Sequence, residues 1–457
     1  MNKMKQLLNT QKDFFRSGKT RDISTRIEQL KILKKLLIDN EELLIDEVRK
    51  DFSKSAFETY VTEIGLVITD INFAIKNVEQ WAKEQTVSTS LVNFPSKNFI
   101  ITEPYGSALI IAPWNYPILL ALQPLVGAIA AGNTAILKPS ELTPNTSSTL
   151  DRLISEAFNP EYIKVVLGGV EVSSELVKMD FDYIFFTGST KVGKIIMREA
   201  AEKLTPLTLE LGGKSPCIVD ESANIEISAK RIAWGKFINA GQTCVAPDYL
   251  LVQESIKEDF LEHLKQSIIQ LYGEDPKSSP DFPRIINEAH FDRLNALLNE
   301  GDIVIGGDVE RESNYISPTV IDRVTLNHEI MQDEIFGPIL PVLSFKEMNE
   351  CERIINSKPR PLALYIFTSN QDKENNLLRN ISFGGGAVND TIAQLGNHHL
   401  SFGGVGASGF GSYHGKASFD CFSHKKSVMK KPFWPDLPFR YAPYDDIKLG
   451  LVKKVLK

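Results

Sequence analysis

The sequence predicts a doubly wound α/β protein built in more than one unit. From about residue 100 onward, short β-rich runs alternate with amphipathic helical segments, the pattern of a mainly parallel sheet with helices on both faces. From Pro104 to Leu137 a run of 34 residues carries no charge, as strands and helices buried on every side do. At 457 residues the chain is also too long for one hydrophobic core; ~150 residues per domain suggests about three domains or two large ones.

Taken in order, the first hundred or so residues read as helical. Ile23, Ile27, Leu30, Leu33 and Leu37 recur at helical spacing, and Ile45 and Val48 continue the pattern in a second amphipathic segment. The uncharged run that follows is long enough to suggest a membrane span. Pro113, Pro117 and Pro124 interrupt it, as do Asn115, Gln123 and Asn133. It parses better as a strand at 108–112, a loop at 113–117, a helix to about Ala131 and a strand at 134–137. ALIIA, TAILKP, IKVVLG, YIFFTG and SPCIVD each end in Gly, Pro or a polar turn residue. YLLVQ (249–253), DIVIGG (302–307) and LALYIFT (362–368) mark a second α/β unit. The Gly-rich stretch from Ser382 to Gly415 is expected to be irregular, and no internal repeat or low-complexity linker stands out.

Composition narrows the function classes. Hydrophobic residues make up 42% and charged residues 24%, the balance of a soluble globular protein. A net charge of −7 with no extended basic face argues against nucleic acid as partner. Four cysteines are too few for a disulfide framework, which points to the reducing cytosol. The N-terminus never reaches an apolar h-region, so it does not read as a signal peptide. After Asp446 the tail reads IKLGLVKKVLK, with Lys448, Lys453, Lys454 and Lys457 and with Ile447, Leu451 and Val455 on one helical face. A solvated tail is expected, with peripheral contact at an anionic membrane surface as the alternative.

Several motifs bear on chemistry. YIFFT runs into Gly188-Ser189-Thr190-Lys191-Val192-Gly193 and then the helical KIIMREAAEKL. A glycine turn there offers free N–H groups and a positive dipole end suited to phosphate, though an ordinary strand-to-helix turn looks the same. A literal GxGxxG, Gly404 to Gly409, follows no buried strand and opens no helix, so it reads as a loop of closely packed backbone. Cys244, in NAGQTCVAP, lies in loop-like surroundings where its sulfur could meet a substrate, although most free cysteines are inert core residues. Glu210 stands between Leu209 and Leu211, where desolvation raises a carboxyl's pKa toward that of a general base; a solvated strand-end glutamate is the plainer reading. Cys217 reads as a strand residue, and Cys351 and Cys421 lack an activating neighbourhood. His398, His399, His414, Cys421 and His424 cluster late in the chain without metal-ligand spacing, so no metal is expected.

The motifs say more together. PWNYP, ILKPSELTP, FTGSTKVG, LELGGKSP, GQTCVAPDY and EIFGPILP occur in that order across residues 113–341. The set resembles the NAD(P)-dependent aldehyde dehydrogenase superfamily, and the ending SFGGVGASGFGSYHGKASFDCFSHKKSV, with QTCVAPDY and the short N-terminus, resembles its class 3 branch. The resemblance covers nearly the whole chain. Ser401 departs from it, standing where the family's pattern near FGG usually has Pro.

The resemblance implies a Rossmann-type cofactor domain over 1–208, with about 85–103 belonging to a small oligomerisation segment. A catalytic α/β domain would span 209–390, and a returning and oligomerisation segment with the C-terminal tail 391–457. It makes Cys244 the nucleophile, Glu210 the general base, and Asn115 with the Cys244 N–H an oxyanion hole. Lys138 and Glu141 would hold the adenosine ribose, Gly188, Ser189, Thr190, Lys191, Val192 and Gly193 would flank the pyrophosphate, and Glu334 would grip the nicotinamide ribose with Phe336 packed nearby. NAD is the expected cofactor, with NADP accepted comparably or more weakly, since a carboxylate favours a free 2′-hydroxyl and an ammonium tolerates a 2′-phosphate. A medium- or long-chain aliphatic or aromatic aldehyde is the implied substrate, and a cytoplasmic homodimer the implied assembly. A CoA-acylating relative would generally lack the carboxylate at Glu210. A cysteine hydrolase would need a histidine paired with Cys244, and a non-enzymatic scaffold would be expected to lose Cys244 or Glu210.

Overall fold

The computed structural model describes residues 2–456. The stretch up to Trp81 is helical as the spacing predicts, with helices Ile23–Asp39, Glu41–Phe52 and Gly65–Trp81, but strands at Gln85–Val87 and Lys97–Pro104 end the helical run short of residue 100. The buried face of these helices, including Leu30, Leu33, Val48 and Ile71, packs on one side of a six-stranded sheet.

That sheet runs, edge to edge, Ile163–Val165, Thr134–Lys138, Ser107–Ile111, Tyr183–Thr187, Leu207–Glu210 and Gly409–Phe410. All neighbours are parallel except the last pair. Side chains of Ser107–Ile111 alternate between its two faces: Ala108 and Ile110 join the core under the N-terminal helices, while Leu109 and Ile111 join the opposite one. The helix Leu119–Ala131 is buried along nearly its whole length, so the uncharged run is the interior of this unit. Among the described residues no helix is long and apolar enough to cross a membrane.

The chain starts this sheet at Ser107–Ile111, builds outward through Thr134–Lys138 and Ile163–Val165, then returns to the other flank at Tyr183–Thr187. The strand order thus reverses beside Ser107–Ile111, and ligands of such sheets bind outside the carboxyl ends of the strands at that point.

A second sheet orders Asp302–Ile305, Thr319–Asp322, Ile339–Phe345, Tyr249–Gln253, Pro216–Val219, Ala363–Phe367 and Gly385–Val388. It is parallel apart from its exposed first strand. The last strand corrects the expectation of irregular structure over 382–415. Its glycines hide a strand because the backbone approaches too closely for side chains: a Cβ on Gly386 would lie 2.2 Å from the Leu364 carbonyl.

The expected division at 208/209 falls inside the strand Leu207–Glu210, whose parallel pairing to Tyr183–Thr187 keeps it in the first sheet; the chain crosses to the second between Glu210 and Pro216. Gln85–Val87, Lys97–Pro104 and Ser423–Lys430 form a separate antiparallel sheet. The tail forms the helix Asp446–Val455, with Ile447 and Leu451 exposed; Lys457 and the Val455 side chain lie outside the described residues.

Candidate active site

Two cavities meet at one sulfur. The larger, about 280 Å³, opens at the carboxyl ends of Ser107–Ile111 and Tyr183–Thr187, where the strand order reverses. Asn115, Gly188, Ser189, Glu210, Cys244, Glu334 and Phe336 all line it. The smaller, about 210 Å³, lies on the other side of Cys244 and is walled almost wholly by apolar side chains such as Leu66, Leu119, Trp234 and Ile392. Cys244, Leu120, Phe402 and Tyr413 belong to both walls.

Cys244 follows a tight 3₁₀ turn, Ile238–Gly241, in which Asn239 (φ 54°), Ala240 (φ 50°) and Gly241 (φ 70°) all take left-handed backbone. Such a run is strained for residues with a Cβ and needs its surroundings to hold it. Asn239 supplies part of that hold, donating from Nδ2 to the carbonyls of Asn115 (2.8 Å) and Gln242 (3.2 Å). The buried Asn115 donates from its own Nδ2 to the Gln242 carbonyl at 3.0 Å, which leaves its second amide N–H free of that bond. Burial, then Glu334 and Glu210, hold the Cys244 thiol well above its ordinary pKa, so its proton needs a base to leave.

Glu210 ends the strand Leu207–Glu210 and is 2% exposed. Neither carboxylate oxygen has a hydrogen-bond partner among the described residues, and burial alone pushes its pKa well above the carboxylate range. A carboxylate in that state is a strong base for its type. The loop Gly404 to Gly409 packs against it: Gly409 pairs with Glu210, and the Leu211 N–H donates to the Ser408 carbonyl at 3.1 Å. Gly409 (φ 129°) has no room for a Cβ, which would lie 2.1 Å from the Leu209 carbonyl. The second glycine motif is therefore a close-packed loop.

Glu334 reaches over Gly212, where a Cβ would come within 1.9 Å of its Oε2. Burial, then Asp248, push its carboxyl up to about 8, against the pull of the Gly213 N–H, Lys214 and Arg293. Lys214 ties this loop down, bonding Asp248 and donating to the carbonyls of Ile330 (2.8 Å) and Asp333 (2.9 Å); Asp248 accepts from the Ile335 N–H at 2.9 Å. Both residues sit inside quoted motifs, but nothing in their spacing disclosed this task. Phe336 (φ 52°) stands edge-on to Trp114 at 5.4 Å.

The remaining expected residues lie outside the cavity wall. Lys138, at the end of its strand, is buried and donates to the Pro139 carbonyl (2.7 Å) and to Glu141 (3.2 Å) at the same carboxyl edge of the sheet. Thr190, Lys191, Val192 and Gly193 are not a turn: the Ser189 side chain accepts from the Val192 N–H, so they form the first turn of the helix Thr190–Ala201. Gly193 lets that helix close on Leu211, whose Cδ2 lies 2.6 Å from where a Cβ would be. His398 and His399 both pack on Phe73 with His414 close by, while His424 stands apart. His398 pairs with Asp70 at 2.6 Å, His414 packs on Phe402, and His424 lies by Tyr105. Among the described residues no cluster could hold a metal.

A dinucleotide fits this site. The helix Thr190–Ala201 begins at the cavity wall with free N–H groups in its first turn, and Thr187 Oγ1 and Glu334 Oε1 are buried without a partner among the described residues. Fold and site together define a nucleotide-binding α/β protein with a cysteine and a basic carboxylate facing one cavity.

The chain belongs to the Aldehyde dehydrogenase family, whose profile matches residues 2–428. It is 50% identical over 446 residues to 4,4'-diaponeurosporen-aldehyde dehydrogenase of Staphylococcus aureus, covering 97% of each. It is 41% identical to "Aldehyde dehydrogenase, dimeric NADP-preferring" of Canis lupus familiaris, covering 97% of this chain and 98% of that one. The solved "Substrate bound state of Staphylococcus Aureus AldH" superposes with a TM-score of 0.98 at 48% identity and full coverage of both chains. The chain is an NAD(P)-dependent aldehyde dehydrogenase similar to the class 3 branch, and its substrate is an aldehyde.

Proposed function

We propose that this enzyme oxidises a medium- or long-chain aliphatic or an aromatic aldehyde to its carboxylate through a covalent adduct on Cys244, with NAD as cofactor and NADP accepted comparably or more weakly. The observation that carries this reading is Cys244 in the shared wall of a polar and an apolar cavity. An aldehyde has no leaving group, so its carbon must become tetrahedral before a hydride can depart. The Cys244 sulfur bonds to that carbon as the thiol proton passes to the facing carboxylate of Glu334, which leaves Glu210 ionised for the later step. The carbonyl oxygen becomes an oxyanion, stabilised by the Asn115 amide and the Cys244 N–H. When bound, the nicotinamide supplies the hydride acceptor. The acyl group then remains on sulfur as a thioester. Glu210 takes a proton from water, the water oxygen bonds to the acyl carbon, and the sulfur leaves.

Gly188 and Ser189 would hold the pyrophosphate with the helix N-terminus of Thr190–Ala201, Lys138 and Glu141 the adenosine ribose, and Glu334 the nicotinamide ribose. The apolar cavity fits an aldehyde with a hydrocarbon or aromatic body, and a relative named for 4,4'-diaponeurosporen-aldehyde agrees with that class. We also infer a homodimer through the three-stranded sheet, where Leu91 and Phe94 are exposed, as the name of the dimeric relative supports. Four free cysteines suit a reducing cytoplasm. The test is kcat/KM for aldehydes of increasing chain length and for benzaldehyde with each cofactor, followed by NAD(P)H absorbance. A rise with chain length supports the reading; activity confined to the shortest aldehydes refutes it.

A further inference from the structure

A buried charged lattice surrounds the Asn115 turn, and none of the steps above uses it. Lys54 and Glu63 are both fully buried and pair at 2.8 Å. Removing two charges from water is costly, so a buried pair is weak support for stability on its own. Here each partner has a second attachment.

Glu63 lies in a π-helical turn, Tyr60–Ile64, a wide form that interrupts ordinary helix and often marks a functional site. Its Oε2 accepts from the backbone N–H groups of Ile118 (2.8 Å) and Leu119 (3.3 Å), free donors at the start of the helix Leu119–Ala131. The Lys54 ammonium sits 4.0 Å from the centre of the Tyr116 ring. The Tyr116 hydroxyl bonds Thr243 Oγ1 at 2.6 Å, one residue before Cys244. From the other side, Glu58 accepts from the Asn239 N–H at 2.9 Å, and Asn239 donates to the Asn115 carbonyl. The turn presenting Asn115 is therefore gripped at residues 115, 116, 118 and 119 by the segment 54–63 and by the turn before Cys244.

We propose that Lys54 and Glu63 are positioning residues for the oxyanion: through Tyr116 and the backbone of Ile118 and Leu119, they hold the Asn115 amide in register with Cys244. The inference rests on Asn115 being an oxyanion donor. A misplacement of about 1 Å at a reacting centre costs about 10²-fold. Glu63→Gln sets an amide against the Lys54 ammonium and weakens the hold on both N–H groups.

The experiment is a double-mutant cycle of Glu63→Gln with Asn115→Ala, read as the single-turnover rate of NADH formation. Asn115→Ala alone should lose about 10²–10³-fold, and Glu63→Gln alone about 10–100-fold. NAD affinity and the rate of Cys244 alkylation by iodoacetamide should stay as in wild type. In the Asn115→Ala background, Glu63→Gln should cost almost nothing further, because the donor it positions is gone. Losses that multiply, or a Glu63→Gln rate equal to wild type, overturn the proposal while leaving the oxyanion reading intact. A near wild-type rate for Asn115→Ala instead overturns the oxyanion reading and the proposal with it. Should Glu63→Gln not fold, Tyr116→Phe removes only the hydroxyl bond to Thr243. It should cost about 2–10-fold alone and nothing in the Asn115→Ala background, and multiplying losses there count against the proposal in the same way.

Discussion

Glu210→Gln separates the two halves of the proposed reaction. Both Glu210 oxygens are buried and make no hydrogen bond to the described protein, so the substitution keeps the shape and breaks no bond while removing the base. Attack by Cys244 and hydride departure should survive, and thioester hydrolysis should slow. A positioned general base supplies about 10²–10⁴-fold, which at ~1.36 kcal/mol per decade is roughly 2.7–5.4 kcal/mol of barrier. Stopped-flow absorbance after mixing the variant with aldehyde and NAD should show a fast burst of NADH approaching stoichiometry with active sites. A steady rate lower by that factor should follow. Cys244→Ala should show neither burst nor turnover, since no tetrahedral adduct forms. Loss of the burst in Glu210→Gln as complete as in Cys244→Ala would mean that the carboxylate acts earlier, on the thiol. Near wild-type turnover would remove Glu210 from the mechanism.

Four further outcomes follow from the same geometry. Because only the ionised carboxyl can take a proton from water, turnover should climb as pH rises through the elevated pKa of Glu210, and Glu210→Gln should flatten that limb in a pH–rate profile. Glu334 is held up to about 8 against an ordinary 4.5, so the folded state keeps its proton longer than the unfolded chain; the stability this confers is present below about 4.5 and lost as pH rises through about 8, and Glu334→Gln should abolish that part of the slope of Tm against pH. Gly212→Ala places a methyl where Glu334 Oε2 lies, displacing a hydrogen bond of about 0.5–1.5 kcal/mol, and the KM for NAD should rise about 2–10-fold. Glu141→Gln removes a half-exposed negative charge beside Lys138 and should shift the NADP/NAD ratio of kcat/KM toward NADP by a few-fold, of order 1 kcal/mol after solvent screening; an unchanged ratio would detach Glu141 from the ribose.

What the sequence disclosed tracks how local each signal is. The strand Tyr249–Gln253 matches YLLVQ residue for residue, because a buried parallel strand is an apolar run bounded by polar turns. The strand Gly385–Val388 was invisible because it is held by close backbone approach, which leaves no apolar pattern to read. At the site, short motifs picked out Cys244, Glu210, Asn115 and Glu334, which the fold gathers on one cavity. Lys54, Glu58 and Glu63 gave no signal: on a helical segment, charged residues read as a solvated face until the tertiary fold buries them. The extent of the helix beginning at Thr190 was likewise a matter of one capping side chain, Ser189, which spacing alone does not reveal.

The roof over the Cys244 sulfur is the last part of the site to be synthesised. Phe402 and Tyr413 complete both cavity walls, and residues 408–410 border the strand that ends in Glu210. A ribosome therefore extrudes Cys244 and Glu210 well before the segment that encloses them, and contacts of such long sequence separation form late. Until that segment emerges, the nascent chain holds an open thiol beside an incompletely desolvated carboxylate, a state without the raised basicity that burial confers. A chain terminated before residue 402 should therefore lack activity even though the proposed nucleophile, Cys244, and the proposed base, Glu210, are both present.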